Sequence, residues 1–141
     1  MKSIFNIFIF LSLVFQDFSQ SGKLTVHVEG VENTKGRVEI GLYNKSQGFA
    51  DYDKRFKGFS LKASKYGVKC TFNNLPPGTY ACAVFHDENG NKKIDKNWFG
   101  IPTEKYGFSL NKFGALGPPK FKLVSFTINN NQSKSITINI K

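Results

Sequence analysis

No G-x-S-x-G nucleophile turn and no H-E-x-x-H zinc helix occurs in this chain, so two familiar motif-borne routes to hydrolysis are absent. Apolar runs are short. The longest, residues 4–15, falls short of the roughly 20 residues that a membrane-spanning helix needs. Sustained helical period, internal repeat and linker are all missing, which excludes a helical bundle, a solenoid and a multidomain chain. Cysteine is scarce, with only Cys70 and Cys82. No arginine-rich groove or nucleic-acid motif accompanies the net charge of +10, so nucleic acid is not the expected partner. Lysines and arginines stand singly, apart from a mild cluster at Lys54, Arg55 and Lys57. Residues 80–110 are locally neutral, with Asp87, Glu88, Asp95 and Glu104 set against Lys92, Lys93, Lys96 and Lys105. The excess charge belongs to solvated strand faces and loops. Anionic polysaccharide or lipid fits it, and plain solubility fits it better.

What is present begins with a leader. Lys2, the apolar residues 4–15, and small Ser19 and Ser21 after a polar tract match a secretory signal peptide over residues 1–20. An uncut N-terminal anchor is the alternative, and no cysteine stands at the junction to carry a lipid. Export to the periplasm or beyond the cell is expected, with no transmembrane segment after cleavage. A disulfide can persist there. About 120 residues remain, the size of one domain with a real core.

Along residues 21–141 the period is two. Leu24, Val26 and Val28 alternate with Thr25, His27 and Glu29, and Val38, Ile40 and Leu42 alternate with Arg37, Glu39 and Gly41. This predicts two half-buried strands, joined through residues 33–36 as a hairpin. Phe49, Tyr52 and Phe56 have helical spacing inside the irregular stretch 44–58. Strands are expected at 59–63, 68–72, 121–128 and 135–140, with irregular chain at 107–108 and 116–119. An all-β, antiparallel sandwich of about seven or eight strands follows, immunoglobulin-like or transthyretin-like.

The chain is organised around residues 72–109. Pro76, Pro77 and Gly78 make a turn. Residues 80–86 then carry apolar or small side chains on both parities, which predicts a central strand. If Phe72 lies opposite Tyr80 across that turn, Cys70 lies opposite Cys82, within reach of a disulfide. Two buried free thiols are the other possibility. Gly78-x-Tyr80-x-Cys82 matches an immunoglobulin tyrosine corner, but Trp98 falls after both cysteines and the pair is closely spaced.

Together, LPPGTY, VFHDENGN, GIPTEKYGFS and GPP-x-F resemble an uncharacterised family of exported bacterial proteins, domain-of-unknown-function family 2141. The resemblance covers roughly the mature chain. It implies a small exported β-sandwich and no established activity. The turn alone is similar to transthyretin-like and carboxypeptidase regulatory-like domains. Lys92 departs from the family, giving NGNKKID where NGNGKLD is usual.

Asp87, Asn89, Asn91, the backbone carbonyl of Lys93, and Asp95 fall at alternating positions, as oxygens do in an EF-hand calcium loop. Lys92 and Trp98 stand where such a loop has Gly and Glu. The competing reading is an ion-free network of Asx turns. Glu88, Asp95 and Glu104, or His86 with Asp87, are the pairs a small glycan hydrolase would use. Trp98, Phe99, Tyr106 and Phe108, beside His86, Glu88 and Glu104, form the expected ligand surface. The expectation is therefore a non-enzymatic exported module that binds an extracytoplasmic ligand or protein through residues 87–109. A metal-dependent or hydrolytic enzyme and a calcium-stabilised structural domain are the alternatives.

Overall fold

A computed structural model describes residues 21–141. The expected leader and its cleavage lie outside these residues. Eight strands form two facing sheets: β1 (Gly22–Glu29), β2 (Arg37–Tyr43), β3 (Lys57–Lys62), β4 (Val68–Leu75), β5 (Gly78–Asp87), β6 (Tyr106–Phe108), β7 (Phe126–Ile128) and β8 (Ser133–Asn139). One sheet has the order β4-β1-β8, and the other runs β3-β2-β5-β6, with β7 also against β5. The all-β sandwich is therefore the fold. Pairing is antiparallel throughout except for β1 with β8, which run parallel.

Alternation explains the core. Leu24, Val26 and Val28 of β1 meet Val38, Ile40 and Leu42 of β2, with Tyr80, Cys82 and Val84 of β5 and Ile138 of β8 between the sheets. Each is nearly or wholly removed from water, worth roughly 1.5–3 kcal/mol for a large aliphatic side chain. The central position expected for residues 80–86 holds: β5 has β2 on one edge and β6 and β7 on the other.

Four local expectations are corrected. β1 and β2 are not a hairpin, since β1 pairs with β4 and β8 while β2 pairs with β3 and β5. Between them Val31 is buried in the core, so the connection crosses from sheet to sheet. The Pro76–Pro77 turn is likewise a corner between sheets. Phe72 pairs with Leu24 and Tyr80 with Phe126, which overturns the register placing Cys70 opposite Cys82 in one ladder. Two prolines cannot donate to a ladder, and the Tyr80 hydroxyl instead ties the corner by donating to the Pro76 carbonyl at 2.5 Å. Both thiols are free and buried, one on each sheet. Residues 121–128 begin as a helical turn, α1 (Phe121–Val124), before β7. Gly107 and Phe108, expected to be irregular, belong with Tyr106 to β6.

β6 and β7 pair with different halves of β5, leaving a gap beside Ala81 and Cys82. The buried Ser109 side chain fills it. Outside this sheet a second apolar cluster forms around Ala81, Phe108 and Val124, with Phe49, Tyr106 and Phe113 against it. Glu39 also points outward from β2 yet is buried. Ser60 Oγ donates to it at 2.5 Å, and Arg55 approaches at 3.8 Å while lying over the Tyr52 ring. Gly41 and Gly58 make this possible, because a Cβ at either would meet Arg55 at 2.8 Å.

Candidate functional site

A cleft of about 960 Å³ opens on the outer face of the five-stranded sheet, near the upper end of sizes for small-molecule sites. Its floor is Ala83 and Phe85 of β5 with Tyr106 and Phe108 of β6. Pleating sends these side chains outward, opposite the core parity of Cys82 and Val84. The hollow exists because Ala83 is small. One wall is residues 50–53, which lead into a 3₁₀ turn (Tyr52–Lys54) capped by Asp51, whose carboxylate accepts from the Asp53 amide at 3.0 Å. The Glu39–Arg55 contact braces this wall from below. The facing wall is Asn91, Lys92, Lys93, Ile94 and Lys96 with residues 99–102, and residues 114–118 complete the rim.

The second wall is rigid for a reason written in its side chains. Asp87 Oδ1 accepts from the amides of Gly90 and Asn91 at 2.8 and 3.2 Å, and Oδ2 from the amide of Lys92 at 2.8 Å. Asn89 and Asn91 donate through Nδ2 to the two oxygens of Asp95 at 2.6 and 2.8 Å. Asn91 Oδ1 accepts from the Lys93 amide at 2.9 Å. Glu104 roots the loop from the far side: Oε1 accepts from the Glu88 amide and Oε2 from the Asp95 amide, each at 2.9 Å. Lys92 sits at φ +61°, in the left-handed region that glycine occupies freely.

The metal candidates Asp87, Asn89, Asn91 and Asp95 are thus brought together, but they hold one another and the backbone. The Lys93 carbonyl makes no contact that would join them. Among the described residues no group of three or more His, Cys, Asp or Glu is placed to hold a metal ion. These bonds form a network of Asx turns.

The expected ligand residues separate. Phe99 and Tyr106 line the cleft, and Trp98 projects from the same turn as Phe99 without lining it. His86 does not belong to this surface. It is fully buried on the inner parity of β5, where Nε2 donates to the Lys35 carbonyl at 2.7 Å, and Nδ1 finds no partner among the described residues. Asp87, the next residue, points to the other face, so no His86–Asp87 dyad assembles. Glu88 accepts from Asn33 Nδ2 at 3.0 Å, on the side away from the cleft lining. Glu104 is buried, and with Asp95 it is bonded to loop amides and amide side chains, so neither stands free as an acid–base partner.

Phe108, expected on the binding surface, lines the cleft, whereas sequence reasoning missed Phe85, Tyr52 and residues 114–118. One signal was available: Ala83 is a small residue on an outward position of β5, beside Phe85 on the same parity, which marks a depression. No curated protein and no solved structure matches the chain. A family model matches residues 26–137, which spans the sandwich, the cleft floor and the loop. The chain belongs to the family described as an uncharacterized protein conserved in bacteria (DUF2141).

Proposed function

We propose that the protein is an exported, non-enzymatic binding module whose ligand site is the cleft over Phe85, Tyr106 and Phe108. The observation that carries this reading is the cleft itself: about 960 Å³ over an aromatic floor, with walls held in place before any ligand arrives. Preformed walls lower the ordering cost of binding. Aromatic faces beside Asn91, Lys93 and Lys96 suit a flat apolar body that carries a polar group.

The test uses 8-anilinonaphthalene-1-sulfonate, an aromatic anion whose fluorescence rises in apolar sites. One equivalent should bind per folded chain. Ala83→Trp fills the hollow and Phe85→Ala removes its floor, and each should weaken binding by at least about tenfold. Melting curves confirm that both variants fold. Unchanged dye binding in both folded variants would remove the cleft as the site.

A further inference from the structure

We propose that the rim of the cleft docks on a membrane surface rich in anionic phospholipid. The feature behind this is a short finger, residues 95–103, that stands beside the cleft. Its two limbs are joined by Thr103 N to Asp95 O at 2.8 Å, by the Lys96–Pro102 bridge, and by Asn97 N to Ile101 O at 2.9 Å. At its tip Asn97 Oδ1 accepts from the amides of Phe99 and Ile101 at 2.9 and 3.0 Å, while the Gly100 amide donates to the Asn97 carbonyl. The tip therefore satisfies most of its own amides. Such a turn enters an apolar boundary without leaving those groups bare.

What the tip shows to solvent is apolar. Trp98 is 95%, Phe99 83% and Ile101 58% exposed, and Leu116, on the loop across the same cleft, is 104% exposed. Monomeric proteins scatter single exposed apolar residues, but a cluster on two neighbouring loops marks an interaction surface. Trp and Phe are also the side chains that settle at the boundary of headgroup and acyl chain.

Charge selects the occupant. Lys92, Lys93 and Lys96 lie on the limb leading into the finger, exposed and without an ion-pair partner among the described residues. Among the described residues the only carboxylates on the cleft lining, Asp51 and Asp53, are on the opposite wall. Lysine is depleted in the centres of protein interfaces. Beside an apolar tip its stem lies along the boundary while the ammonium group meets phosphate. An anionic bilayer satisfies both features at once. This inference does not depend on whether the cleft also holds a small molecule.

Flotation of the full mature chain with vesicles of phosphatidylcholine, with or without phosphatidylglycerol, tests it. The protein should float with the anionic vesicles and not with the neutral ones, and added salt should release it. The emission of Trp98, the chain's one tryptophan, should shift to the blue on binding. Each of Lys92→Gln, Lys93→Gln and Lys96→Gln should weaken partitioning about fivefold, and Phe99→Ser with Ile101→Ser by about tenfold or more. All of these positions are exposed, so melting temperatures should stay at the wild-type value. Ala83→Trp should float as wild type does, which separates this docking from dye binding in the cleft. Equal flotation on neutral vesicles, or undiminished binding by the tip variant, overturns the proposal. Failure to float overturns it in favour of a protein occupant.

Discussion

Ser109 repairs the backbone of β5: its Oγ accepts from the Cys82 amide at 3.0 Å and donates to the Val124 carbonyl at 2.5 Å. Neither group can reach water, because Ser109, Cys82 and Val124 are all fully buried. One hydroxyl thus bridges the interval between β6 and β7 and keeps the cleft floor continuous with the rest of the sheet. Ser109→Ala strands a buried donor and a buried acceptor, and should cost about 2–4 kcal/mol. Urea unfolding measures this. A loss below about 0.5 kcal/mol, the range of ordinary surface changes, would mean that the ladder gap is closed by something else.

Calcium should leave the wild-type melting temperature where it is, and so should a chelator, because the Asp87 and Asp95 oxygens already have donors. Asp87→Ala should nevertheless destabilise by about 2–3 kcal/mol, since three loop amides lose their acceptor. Differential scanning calorimetry with millimolar calcium decides between the two readings of the loop. A calcium-dependent rise in the wild type that vanishes in Asp87→Ala would show that these side chains rearrange around an ion.

Burial pushes the Cys70 thiol up from its ordinary value of 9.0 to about 12. The Cys82 thiol is also pushed up, first by burial and then by the neighbouring Cys70. Above the ordinary value the unfolded chain releases these protons while the native chain keeps them, so stability falls as pH rises. The contribution is fully present below pH 9.0 and declines towards about 12. Urea midpoints taken through this alkaline window should fall. The Cys70→Ala, Cys82→Ala double variant should flatten the early part of the fall, before the raised Tyr43 and Tyr80 hydroxyls contribute. A slope unchanged in the double variant would assign the whole effect to other groups.

Much of the fold was legible because it rests on a period of two. Val26, Ile40 and Ile138 each announce a core face from their immediate neighbours, and Pro76 with Gly78 announces a turn. Sheet membership was not legible. Whether the chain turns back after Gly30 or crosses over depends on Val31 finding the core, a contact with residues far away in sequence. The same nonlocality hid β6, whose three residues are a strand only because Ala83 to Phe85 lie beside them. Phe121 to Phe126 alternate well enough to suggest a strand, yet Leu123 is exposed and the first four residues coil into a helical turn. At the candidate site, the Asp and Asn spacing marked a loop that forms one wall of the cleft and left its chemistry open between ion and amide. The cleft escaped notice because it is defined by what Ala83 lacks, seen only when strands are laid side by side.

The parallel partnership of β1 with β8, from Lys23 opposite Ser133 to Glu29 opposite Asn139, has a consequence for how the sandwich is made. The first strand of the domain has only β4 to pair with until the eighth arrives from more than a hundred residues away, about the longest loop closure a domain of this size contains. Synthesis from the N-terminus leaves the β8-facing edge of β1 open until residues 133–139 have been made. Completion of this sheet therefore waits for β8. Until then the open edge is exposed to pairing with another copy of the chain.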